Sequence, residues 1–136
     1  MHFNYTICYP NKEKIESAST LLDAQQVLDL FKKHPWEAQN DLCLKLPEEK
    51  IYFSPSIGFT NTISNHGLEL TANFTEGKLE FSLWFNRPKK VKKFFGLLGE
   101  YEQMKVDDVW GINLEESIKY LEHFVKGNYT KIEELY

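Results

Sequence analysis

Phe3, Tyr5, Ile7 and Tyr9 alternate with Asn4, Thr6 and Cys8, the period-two signature of a half-buried strand, and Pro10-Asn11 ends it. Leu21, Ala24, Leu28 and Phe31 then recur at helical spacing with Val27 beside them. Thr20 stands as the cap of that helix, and Asp23 three residues on completes a weak capping box. Pro35 disfavours helical geometry in the residue before it, so the helix ends at His34. Trp36 is expected to fasten the following loop to the domain.

Leu42, Leu44 and Leu46 alternate with Cys43 and Lys45, Pro47-Glu48-Glu49-Lys50 makes a turn, and Ile51-Tyr52-Phe53 runs back; this predicts a hairpin. A further strand is expected over 57–63. The strongest local pattern lies in 68–74 and 79–85. With a two-residue turn at Glu76-Gly77, Phe74 faces Leu79, Ala72 faces Phe81, Leu70 faces Leu83 and Leu68 faces Phe85. The other face pairs Asn73 with Glu80, Thr71 with Ser82 and Glu69 with Trp84. A one-residue slip would turn every apolar side chain to the wrong side, so the register is well specified.

Beyond this hairpin the pattern changes. Val91, Phe94, Phe95 and Leu98 fit one helical stripe and Pro88 suits a first helical position, which predicts a helix that Gly96 and Gly99 keep short. Residues 101–109 read equally as strand or irregular chain. The last long helix is clearer. Asn113 caps it, Glu116 completes the box, Leu114, Ile118, Leu121 and Val125 form its apolar stripe, and Gly127 supplies a left-handed stop. A short helical tail is expected over 131–136. The order of elements predicts an α+β fold in one domain, 1–136: an antiparallel sheet of about five or six strands with two long helices packed on one face.

Composition narrows the function classes more than it selects one. Sixteen Lys and Arg against 20 Asp and Glu give a formal charge of −4, which argues against nucleic acid as the main partner and suits a basic protein partner. No apolar run reaches the roughly 20 residues that span a bilayer, and the first residues carry neither a basic nor an apolar signal region. The two cysteines, Cys8 and Cys43, have no metal-site or redox spacing and fit a reducing compartment. The expectation is a cytoplasmic protein without membrane contact.

No catalytic set, metal site or cofactor motif is predicted. His2, His34, His66 and His123 have no metal-ligand spacing, and nucleophile and phosphate-loop signatures are missing. Two charged segments stand out. Arg87, Lys89, Lys90, Lys92 and Lys93 form a weak anion-binding candidate, read more simply as a solvated face. Glu100, Glu102, Asp107 and Asp108, with Trp110 beside them, form an acidic, aromatic-edged candidate for engaging a basic partner. Trp84 joins this list because it lies on the otherwise polar face of the best hairpin; it is a contact residue if that face is bare and core if it is covered.

Three classes of function stay open. The preferred one is a protein-binding module that neutralises or regulates a partner, most concretely an immunity protein covering the active site of a cognate bacterial toxin, with a basic toxin domain as partner. The second is a small-ligand binder or enzyme with a pocket between sheet and helices, for which Tyr101, Asp107, Asp108 and His66 are the polar groups at hand. The third is a homodimeric structural or assembly subunit using a sheet face or edge.

Overall fold

The computed structural model describes residues 2–17, 20–92 and 100–135, with the backbone alone at residues 75, 89–92 and 100–107. Six antiparallel strands, β1 (Phe3–Cys8), β2 (Glu16–Ser17), β3 (Ser56–Asn61), β4 (Gly67–Thr75), β5 (Lys78–Lys92) and β6 (Glu100–Ile112), lie in the order β2-β1-β3-β4-β5-β6. Helices α1 (Ala24–Lys33), α2 (Trp36–Lys45), α3 (Leu114–Val125) and α4 (Tyr129–Glu133) complete the α+β fold. Three substantial helices and one short one stand where the sequence predicts two long ones and a tail.

The β4–β5 hairpin carries the predicted register. Leu68 faces Phe85, Leu70 faces Leu83, Ala72 faces Phe81 and Phe74 faces Leu79. Glu76 and Gly77 both take positive φ, 53° and 78°, as a tight hairpin turn between right-twisted strands requires. Phe81, Leu83, Phe85, Leu68, Leu70 and Ala72 are buried with Phe3 and Ile7 of β1 and Ile57 and Phe59 of β3. All helices add to that same core: Val27 and Phe31 from α1, Trp36 from α2, Leu121, Phe124 and Val125 from α3, and Ile132 from α4. Ring contacts join the layers, Phe31 to Phe81 at 5.6 Å and Phe3 to Phe124 at 5.5 Å. Burying each large apolar side chain stabilises the fold by roughly 1.5–3 kcal/mol, and all of these lie on one face of the sheet.

Four local expectations are corrected. The first helix starts later: Asp23 is its cap, accepting from the Gln26 backbone N–H while the Gln26 side chain accepts from the Asp23 backbone N–H. Leu22 is thereby freed to bridge Phe3. Residues 42–46 belong to helix α2, followed by a 3-10 turn at Glu48–Lys50, so there is no hairpin at 42–53. Trp36 explains the difference. It is only 4% exposed, packs edge-on against Phe81 at 5.0 Å and donates its indole N–H to the Phe31 carbonyl, which docks the first turn of α2 into the core. Leu44, a strand-core residue on the hairpin reading, is 76% exposed.

The third correction concerns residues 88–92. They continue β5 instead of opening a helix, with Pro88 opposite Met104 and Val91 opposite Tyr101. β4 stops at Gly67, opposite Asn86, so among the described residues β5 beyond Asn86 has β6 alone as strand neighbour and tolerates a residue without an N–H. Phe94, Phe95, Gly96, Leu98 and Gly99 lie outside the described residues. Fourth, the C-terminal tail turns helical at Tyr129, two residues early, just after Gly127 takes φ 75° and stops α3. The Asn113–Glu116 capping box of α3 is as read from the sequence.

A substitution pair separates the two readings of 42–46. Trp36→Ala should lower stability by about 3–5 kcal/mol, and Leu44→Ala by under about 0.5 kcal/mol. Urea denaturation of both variants measures this, and a large loss at Leu44 would restore the hairpin.

Candidate functional site

Among the described residues the helices pack on one side, and the other face of β4 and β5 holds Glu69, Thr71, Asn73, Glu80, Ser82, Trp84 and Asn86, in the alternation that leaves their strand neighbours in the core. Trp84 stands there 38% exposed. Glu69 of β4 lies directly opposite it on one side and Asp108 of β6 on the other, so the indole has a carboxylate-bearing neighbour on each flank. Facing residues in such rows are within side-chain reach.

Trp110 shares this face with Asp108 by plain alternation from core-facing Val109, and β6 is bulged just beyond it. Leu83 pairs with Val109 and Phe81 with Ile112, so Ser82 alone opposes Trp110 and Gly111. Gly111 takes φ 78°, a conformation costly for residues with a Cβ. The extra residue lets Ile112 as well as Val109 pack toward the core, a re-aiming typical of bulges, while Trp110 stays on the outer face, 63% exposed. The Trp110 indole N–H donates to Asp108 Oδ2 at 2.8 Å, tying the second exposed tryptophan back along its strand toward the row of Trp84. Glu80 comes close on the other side, its Oε2 3.8 Å from where a Cβ on Gly111 would stand.

Trp84, Asp108 and Trp110 are thus brought together, and Glu69 and Glu80, which sequence reasoning passed over, join them. The signal for both was present in the polar row of the hairpin, which pairs Glu69 with Trp84. Glu100, Glu102 and Asp107 have their backbone in β6, but their side chains lie outside the described residues. The same holds for Lys89, Lys90 and Lys92 in β5, and Lys93 lies outside altogether. Register does correct one idea. The basic and acidic segments, read from sequence as separate surfaces, are neighbouring strands, with Lys90 opposite Glu102 and Lys92 opposite Glu100. Arg87 is engaged on the helix side, with its Nε 3.3 Å from Glu133 Oε1 of α4 and its guanidinium 5.6 Å over Phe85.

The remaining polar groups are built into packing. His66 stacks on Tyr129 at 3.9 Å and 6°, and the Tyr129 hydroxyl accepts from Asn61 Nδ2 at 3.1 Å. His34 stands edge-on to Trp36 at 4.4 Å at the rim of an open groove of ≈ 520 Å³ that also touches Glu37, Asp41, Leu79 and Leu114. Glu37 and Asp41 share a helix face there, but His34 hydrogen-bonds to neither, so no acid–base pair is formed. His123 is half-buried beside Tyr120. Cys8 and Cys43 are free and half-buried, and burial raises the Cys43 thiol pKa, which disfavours the reactive thiolate. Among the described residues no group of three His, Cys, Asp or Glu could hold a metal ion, and no helix is long and apolar enough to cross a membrane.

Burial holds both His34 and His66 below the ordinary imidazole value, only partly opposed by Glu16 at the first. At the second, a backbone hydrogen bond to Ser64 and the Glu133 charge oppose the shift, while the Arg87 charge adds to it. The unfolded chain therefore binds protons that the folded chain refuses. Their contribution to stability is complete above about pH 6.5, the unperturbed value, and is lost as pH falls through it toward the lowered folded values. The urea midpoint should drop between pH 7.5 and 5.5, and His66→Gln should reduce the drop. A midpoint that rises on acidification would contradict this burial account. No protein-family model, no curated protein and no solved structure matches the chain.

Proposed function

We propose that this chain is a small protein-binding module that neutralises or regulates a partner through the face of β4–β6 opposite the core helices. One observation carries the reading: two tryptophans, Trp84 and Trp110, stand exposed side by side on an otherwise polar sheet face. Tryptophan is enriched among the anchor residues that supply most interface energy. Here the indoles are ringed by carboxylates that suit a polar rim and a basic partner. The formal charge of −4 adds a long-range field of the same sign. The concrete form of this reading is an immunity protein that occludes the active site of a cognate basic toxin domain. Occlusion needs a rigid, prominent surface and no chemistry of its own, and a sheet backed by a continuous core provides one.

Affinity capture from the native organism tests it. A partner retained by the parent protein should be lost at least about tenfold in Trp84→Ala/Trp110→Ala, since anchor truncations typically cost 2 kcal/mol or more. Ile63→Ala, an exposed change in the β3–β4 loop, should leave capture unchanged. Equal retention by the double tryptophan variant would remove this face from the mechanism.

A further inference from the structure

We propose that the Trp84–Trp110 face recognises a guanidinium, an arginine side chain of the partner, seated against the Trp84 indole with its N–H groups on Asp108. The inference rests on the protein-binding reading and names the chemistry of the contact. Three features of the face converge on it.

The first is uncompensated charge. Glu69 and Asp108 stand directly opposite Trp84 on its two neighbouring strands, and Glu80 lies by the bulge. Among the described residues none of these three is ion-paired; the pairs seen are Arg87 with Glu133 and Lys131 with Glu134. β4 from Gly67 to Asn73 and β5 from Glu80 to Asn86 contain no Lys or Arg. Carboxylates of like charge flanking one indole repel, and an arriving cation relieves that repulsion.

The second feature is orientation. The Trp110 indole N–H occupies Asp108 Oδ2 at 2.8 Å, which fixes the carboxylate and leaves Oδ1 to accept from a ligand. Charge-assisted hydrogen bonds are about twice as strong as neutral ones. The third is the indole itself. The face of a tryptophan ring attracts cations more than any other aromatic side chain, and a planar, weakly hydrated guanidinium can lie flat on it while its edge donates to a carboxylate. A lysine ammonium is compact and strongly hydrated and meets only the charge. An aliphatic partner residue would use the rings and leave three carboxylates desolvated and unpaired.

A probe without any partner protein tests the contact. Nitrogen-15 spectra of the full chain show the indole N–H signals of Trp36, Trp84 and Trp110. Titration with N-acetyl-arginine amide should shift Trp84 and Trp110 saturably, in the range of about 1–50 mM for one side chain, and leave Trp36 in place. N-acetyl-citrulline amide, neutral and nearly isosteric, should cause no saturable shift. Asp108→Asn, an exposed change, should weaken the arginine response about tenfold, with an unchanged Trp36 signal showing that the fold is kept. No response up to about 100 mM, an equal response to citrulline, or an equal response to N-acetyl-lysine amide would overturn the proposal. Such a failure leaves the capture result of the tryptophan variants standing, so the two readings fail separately.

Discussion

The architecture depends on one-sided burial in the β4–β5 hairpin. Its apolar residues oppose one another in register, Leu68 with Phe85, Leu70 with Leu83 and Ala72 with Phe81, all fully buried. Moving either strand by one residue would expose this set and bury Glu69, Glu80 and Trp84 in its place. That penalty fixes the hairpin, and with it the face on which α1, α2, α3 and α4 settle. Among the described residues the opposite face carries no helix.

A second constraint follows where β6 joins this hairpin. Val109 and Ile112 both pack toward the core although they are three apart in sequence, a spacing that strict alternation cannot satisfy. The strand resolves the conflict by inserting one residue at Gly111, whose lack of a Cβ tolerates positive φ. Ile112 is the side chain re-aimed, while Trp110 keeps the outer face that alternation from Asp108 gives it. The bond from the Trp110 indole N–H to Asp108 gives the exposed ring a fixed orientation.

Much of this is legible in the residues, and the failures have physical causes. The hairpin register, the α3 capping box and the glycine stop of α3 follow from local chemistry and hold as read. The 42–46 segment misleads because three leucines at spacing two also suit a helix, and what decides between them is the docking of Trp36 against Phe81, a contact between distant parts of the chain. Residues 88–92 mislead in the same way: Pro88 and the helical spacing of Val91, Phe94, Phe95 and Leu98 favour a helix locally, while pairing with β6 overrides that preference. For the site, the sequence marks Trp84, Asp108 and Trp110 separately. Only the sheet order, with β6 next to β5, places Asp108 beside Trp84, whereas Glu69 and Glu80 already lay on the polar row of the hairpin. Two histidines are set against aromatic rings, His66 stacked on Tyr129 and His34 against Trp36.

The central claim is that the protein works through the bare face of its sheet. Cross-saturation from an unlabelled native partner to the labelled chain addresses it most directly, because the three tryptophans report on both sides at once. The account predicts strong intensity loss at the Trp84 and Trp110 indole N–H signals and none at Trp36, which is buried under α2. Loss confined to exposed amides of α1, α2 and α3, with Trp84 and Trp110 unaffected, would contradict it.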